Sequence, residues 1–168
     1  GGMFALSSTN SDVFPNKNDR DHWLKMGEEL TKSCRLTYSK TSTQIGPDGS
    51  IFDGRNDGAV SGSNSLLRPE TIESYFYMYR ITGEEKYRKW AWDYAVGLQK
   101  YTKTDSGYSG LRNVNDNSGS RSNMDGCQQS FFLAETLKYL YLIFAEENTI
   151  SLDEFVFNTE AHPLKIIK

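Results

Sequence analysis

Histidine and cysteine are scarce in this chain, two residues of each. No His/Cys spacing for a zinc site is present, and two cysteines alone define no disulfide framework. Long apolar runs are also missing. The best of them, Leu137 to Phe144, is interrupted by Lys138 and falls well short of the ~20 residues that span a bilayer. Residues 1–15 lack the basic start and continuous apolar stretch of a signal peptide. Excess charge of either sign is lacking too. A net charge of −3 supplies no long-range attraction toward nucleic acid or an anionic membrane. There is no Gly-rich phosphate loop and no serine elbow. Asp48-Gly49, Asp53-Gly54 and Asp57-Gly58 are turn signals, and none continues into an EF-hand loop.

What remains is the composition of a soluble globular domain. The 168 residues are 37% hydrophobic and 24% charged, enough for one domain around one core. The chain opens Gly1-Gly2-Met3-Phe4-Ala5-Leu6, without an initiator methionine. Met3, Phe4 and Leu6 call for burial, so the opening reads as part of a longer protein whose upstream portion is missing.

Four segments carry helical periodicity. In Asp19–Lys40 the residues Trp23, Met26, Leu30 and Cys34 share one face. Arg68–Ile81 places Ile72, Phe76 and Tyr79 together and stops before Thr82-Gly83. Glu84–Tyr101 follows with Tyr87, Trp90, Tyr94 and Leu98 in register, which predicts an antiparallel helical hairpin. Gln128–Phe144 is apolar on more than one stripe and should be buried on most sides. Polar segments at Gln44–Ser65 and Thr102–Gly126 read as long loops, a length that usually accompanies function. Only Asp153–Phe157 reads as a strand. The fold class is all-α, and the alternation of long helices with long loops suits a helical barrel or solenoid.

Chemistry concentrates in a few places. Pro69 belongs at the first position of its helix, where its missing N–H costs nothing. Arg68 would then occupy the N-cap, against both cap preference and the helix dipole. A broken local rule of this kind points to function. Glu70 and Glu73 share a face of the first turn, a pattern that also serves plain dipole complementation. Glu135 sits in an apolar helix and should be paired, ligating or protonated, with Arg68 or Lys138 as possible structural partners. Phe131, one turn earlier, could stack on a sugar ring or simply pack. Near the C-terminus, Phe155-Val156-Phe157 runs directly into Asn158, Thr159, Glu160, Ala161, His162 and Pro163. Asn158, Thr159 and Glu160 offer oxygens of the kind a hard cation accepts, although an edge strand ending in polar residues looks similar. His162 has no partner that would make it chemistry. Together these residues suggest metal-assisted or acid–base chemistry on a polyol.

The segments Leu66–Ser74, Ser130–Leu140 and Val156–Pro163, with Tyr108-Ser109-Gly110-Leu111-Arg112 between them, resemble the class I α-1,2-mannosidases, glycoside hydrolase family 47. The resemblance covers essentially the whole chain, and the Cys127–Phe132 segment is more similar to the animal Golgi branch than to the endoplasmic-reticulum branch. It implies the C-terminal part of an (α/α)7 barrel with a short C-terminal β element, and residues 1–168 as a partial catalytic domain. It implies Ca²⁺-dependent, inverting removal of terminal α-1,2-linked mannose from high-mannose N-glycans on glycoproteins, with no nucleic-acid partner. Thr159 matches the residue that holds Ca²⁺ through its hydroxyl and carbonyl. Glu70 matches the proposed general base, and Arg68, Glu73, Phe131, Glu135 and Glu160 match residues lining the sugar subsite or the calcium's water shell. Inversion needs two carboxyl groups roughly 6.5–9.5 Å apart with room for water, and Arg68 would supply countercharge to the acids.

The resemblance further implies a secretory-pathway location, Golgi membrane first and endoplasmic reticulum second, with any membrane anchor upstream. The acid-side carboxylates would also lie upstream of Gly1, so this chain alone should release no mannose. The partner cysteine would lie there as well, leaving Cys34 unpaired. Cys127 departs from the pattern and has no assigned role. Two other functions compete: a mannose-binding, lectin-like member of the same family, and a non-catalytic helical interaction module. The module reading requires that Thr159→Ala leave both stability and Ca²⁺ response unchanged.

Overall fold

The computed structural model describes residues 1–167. The helices are α1 (Gly2–Thr9), α2 (Lys17–Ser39), α3 (Glu70–Thr82), α4 (Glu85–Tyr101) and α5 (Leu137–Phe144), the last continuing a π-helical turn at Phe132–Thr136. Two small antiparallel hairpins accompany them: β1 (Gly49–Ile51) with β2 (Ala59–Gly62), and β3 (Phe155–Phe157) with β4 (Pro163–Lys165).

The amphipathic patterns place the helices well and their faces less well. The α3–α4 hairpin forms as its sequence predicts: Gly83 adopts φ 69° and returns its N–H to Tyr79 O, a left-handed stop that glycine accommodates without a Cβ penalty. Tyr87, Tyr94 and Leu98 of α4 are buried. In α2 the buried stripe is instead Gly27, Thr31 and Tyr38, while Leu30 stays 41% exposed. The reason is the close crossing of α1. A Cβ on Gly27 would lie 3.0 Å from Ala5 N and from Gly1 O, so small residues rather than large apolar ones face the contact. Met3, expected inside, is exposed, and Phe4 stacks on Trp23 at 5.6 Å.

The Gln44–Ser65 and Thr102–Gly126 segments are structured more than their composition suggests. The first contains β1 and β2. Both are stitched together by isolated bridges of Leu111 to Ser65 and to Met124, and by Thr43 Oγ1 donating to Val114 O at 2.8 Å. The helix expected over Gln128–Phe144 begins at Ser130. Leu133, Tyr141 and Phe144 along it are exposed, so it is covered on fewer sides than its composition implies. The core is an aromatic layer in which Phe76 meets Tyr139 at 5.5 Å and Phe157 at 5.7 Å. Cys34 and Cys127 are free thiols.

Candidate functional site

The start of α3 is set by an unusual turn. Leu67 has φ 61°, a left-handed conformation that costs a non-glycine residue about 1–2 kcal/mol. It persists because it is held on several sides: the side chain is buried, and the carbonyl accepts from Thr136 Oγ1 at 2.7 Å. Pro69, not Arg68, is the N-cap residue, so the expected cap violation is absent and Arg68 lies one position earlier. Arg68 is also exposed and is not a buried countercharge. Its Nε lies 3.6 Å from Asp48 Oδ1, and its guanidinium stands 5.7 Å from the centroid of Phe131. Glu70 and Glu73 follow in the first turn of α3, where the helix dipole favours anions.

Glu135 is carried by the π-helical turn. Such a turn inserts extra backbone into a helix and changes where the following side chains point. Glu135 is buried, and among the described residues neither Arg68 nor Lys138 forms an ion pair with it. Arg68 pairs with Asp48, whereas Lys138 Nζ donates to Ala161 O at 2.7 Å. Burial raises the Glu135 carboxyl above its ordinary pKa, and the negative fields of Glu160 and Glu70 raise it further. Glu73 is raised likewise, first by burial. The Tyr139 hydroxyl, donating to Glu73 Oε1 at 3.3 Å, acts in the opposite sense, and Glu70 and Glu135 add repulsion. Glu73 and Glu135 thus lie within the field of each other or of Glu70 and Glu160, which makes a local cluster of acids.

The β3–β4 loop completes it. Asn158 Oδ1 accepts from Glu160 N at 3.0 Å and from His162 N at 2.9 Å, a side-chain turn that asparagine builds well. Ala161 takes φ 55°, and Lys138 ties its carbonyl to the neighbouring helix. Phe157 anchors the loop base against Phe76, Tyr77 and Tyr139. Thr159 lies exposed in this loop, and among the described residues its hydroxyl and carbonyl take no part in a hydrogen bond. His162 is exposed and serves the turn through its backbone.

Among the described residues no group of three or more His, Cys, Asp or Glu is arranged to hold a metal directly. The neutral oxygens of Thr159 are of the kind that suits a hard cation with a largely hydrated shell. Acids nearby can then orient its waters rather than bind it. The chain thus presents one acid-lined face flanked by an arginine–aromatic pair. Asp48, Thr136, Lys138 and Asn158 position that face, yet the sequence marked none of them as its supports. Asp48 appeared only as a turn signal and Lys138 only as a possible partner of Glu135. Asn158 appeared as a possible ligand.

A helical protein with such a face can be placed by likeness. The chain belongs to glycosyl hydrolase family 47, whose profile matches residues 1–166. It is 45% identical to the pig mannosyl-oligosaccharide 1,2-alpha-mannosidase IA over 170 aligned residues, covering 99% of this chain and 25% of the pig protein. It is 43% identical to human mannosyl-oligosaccharide 1,2-alpha-mannosidase IC, again over 99% of this chain and over 26% of the human one. The solved alpha-1,2-mannosidase of Trichoderma reesei superposes with a TM-score of 0.76 at 33% identity, covering 99% of this chain and 37% of the fungal one. The chain spans about a quarter of the length of the curated relatives it matches.

Proposed function

We propose that this chain is the C-terminal part of an (α/α)7-barrel α-1,2-mannosidase that trims terminal α-1,2-linked mannose from high-mannose N-glycans in the lumen of the secretory pathway, in the Golgi. The observation that carries the reading is a set of acids near enough to act on one another, Glu70 and Glu135 on Glu73 and Glu160 and Glu70 on Glu135, with Arg68 sharing a cavity with Glu70 and standing over Phe131. Glu70, exposed at the helix start, is free to act as general base and take a proton from the attacking water. Phe131 and Arg68 offer an apolar plane and a donor fork to a sugar. Glu73, Glu135 and Glu160 supply the acceptor oxygens that position hydroxyls and waters. Thr159 would hold Ca²⁺ through its two oxygens, and the cation, when bound, supplies an anchoring point for sugar hydroxyls. The exposed apolar side chains Leu133 and Tyr141 fit helices that meet further barrel elements.

The test is a chimera in which residues 1–166 replace the matching segment of the pig relative. We expect mannose release from a high-mannose glycan that chelation stops and that Glu70→Gln lowers by roughly 10²–10⁴-fold, the worth of a general base. A folded chimera that binds Ca²⁺ and glycan but releases no mannose would overturn the hydrolase reading in favour of a lectin-like one. The 168-residue chain alone should release none, because the acid-side carboxyl group that inversion also takes is expected upstream of Gly1, and Glu73, Glu135 and Glu160 serve as acceptors instead.

A further inference from the structure

Arg68 is half-exposed at its side chain, and a long cationic side chain in that setting normally samples many rotamers. Here its surroundings are specified from three directions. The backbone before it is locked by the left-handed Leu67 and the Thr136 hydrogen bond. The ring of Phe131 lies across its guanidinium. Asp48 faces its Nε.

Asp48 is itself fixed before it meets the arginine. Its Oδ2 accepts from Asn64 Nδ2 at 3.0 Å, its Oδ1 accepts from Leu66 N at 3.3 Å, and its own N–H donates to Asn64 O at 2.8 Å. The residues just before β1 and just after β2 thus deliver a preorganised carboxylate to the start of α3. Asp48, Arg68 and Glu70 also line one cavity of about 190 Å³, together with Tyr38, Ser65 and Thr71. An ion pair this exposed contributes little to stability. Its value is therefore geometric, because a carboxylate on Nε leaves the terminal guanidinium nitrogens available to a ligand.

We propose that Asp48 is a positioning residue: it holds the Arg68 guanidinium flat against Phe131, so that ring and cation act as a single preformed wall beside Glu70. This rests on the reading of Arg68 and Phe131 as sugar-facing groups. The test is the Arg68 Nε–H signal in ¹⁵N-resolved NMR of the 168-residue chain, assigned with Arg68→Lys. In the wild type we expect a slowly exchanging signal, shifted by the Phe131 ring and displaced again in Phe131→Leu. Asp48→Asn should move it to the averaged position of a free arginine, with an unfolding midpoint close to the wild type, and Asp48→Glu should partly restore it. An Nε–H signal unmoved by Asp48→Asn would overturn the proposal.

Titration of the same samples with α-1,2-linked mannobiose separates this inference from the function it rests on. Asp48→Asn should weaken binding roughly fivefold, the scale of one hydrogen bond, and Asp48→Glu should recover part of it. Equal affinity in wild type and Asp48→Asn would also count against Asp48. Absence of mannobiose binding in every sample would count against Arg68 and Phe131 as sugar-facing groups of this chain instead, and the Arg68 signal would then decide the positioning role by itself.

Discussion

Helix α3 contains two regions one turn apart that obey opposite rules. From Tyr75 to Met78 it is an aromatic and aliphatic segment, buried throughout and continued on the inner side by Ile72. Burial of this kind contributes ~1.5–3 kcal/mol for each large side chain. Its first turn carries Glu70 and Glu73, carboxylates gathered with Glu135 and Glu160, and Glu73 and Glu135 are driven toward the neutral form by burial and mutual repulsion. One region lowers the free energy of the fold, and the other raises it. They meet at Phe157 and Tyr139, which pack on Phe76 from below while the Tyr139 hydroxyl reaches Glu73. The layer that stabilises the protein is also the floor that keeps the acids close.

Breaking the floor should give the largest effect. Phe76→Ala removes a fully buried ring that touches Tyr77, Tyr139, Phe157 and Arg80. A change of this type costs about 3–5 kcal/mol, read as a drop in the denaturation midpoint. Because Phe157 roots the β3–β4 loop, the same variant should also lose any Ca²⁺ response. A loss of stability with the Ca²⁺ response intact would show that floor and acid face are independent.

The acid face should behave in the opposite sense. Glu73 has a folded-state pKa raised above its ordinary value, by burial before any other cause. Its contribution is thus fullest below the unfolded carboxyl range and is lost as pH rises through the raised folded value. Glu73→Gln removes that loss while leaving an oxygen for the Tyr139 hydroxyl. In metal-free buffer the variant should match the wild type near pH ~4 and melt a little higher at neutral pH. A variant less stable than wild type at both pH values would mean that the carboxylate is a stabilising element and that the contrast drawn along α3 is wrong.

The same contrast governs what the sequence could reveal. Periodicity located α2, α3, α4 and their hairpin because burying an apolar stripe leaves a mark every third or fourth residue. Aromatic and β-branched residues likewise marked a strand over Asp153–Phe157, of which Phe155–Phe157 forms β3. The failures fall where a single contact overrides the pattern. Gly27 and Thr31 form the inner face of α2 because α1 approaches too closely for larger residues. The π-helical turn at Phe132–Thr136 leaves no compositional trace, since its apolar residues would suit an α-helix equally. Strands β1, β2 and β4 are too short and too polar to register. The candidate residues were nevertheless legible by type: carboxylates in apolar settings stand out anywhere. Their supports were not, because Asp48, Thr136 and Lys138 act through contacts at long sequence separation, which no local window contains.

Thr159 gives the smallest effect on stability and the sharpest reading of the loop. It is exposed, and no described contact depends on its hydroxyl, so Thr159→Ala should change the stability of the metal-free protein by no more than about 0.5 kcal/mol. The loop geometry belongs to Asn158, Ala161 and Lys138 and should survive the change. If the hydroxyl is one of two oxygens on a cation, Ca²⁺ should raise the melting temperature of the wild type in a concentration-dependent way, and that rise should shrink or vanish in the variant. An equal Ca²⁺-dependent rise in both proteins would remove Thr159 from the metal site. The acids would then have to hold the cation directly, although their arrangement meets no such pattern among the described residues. Loss of the response with metal-free stability unchanged would instead establish that the loop is built for the ion and the aromatic floor for the fold.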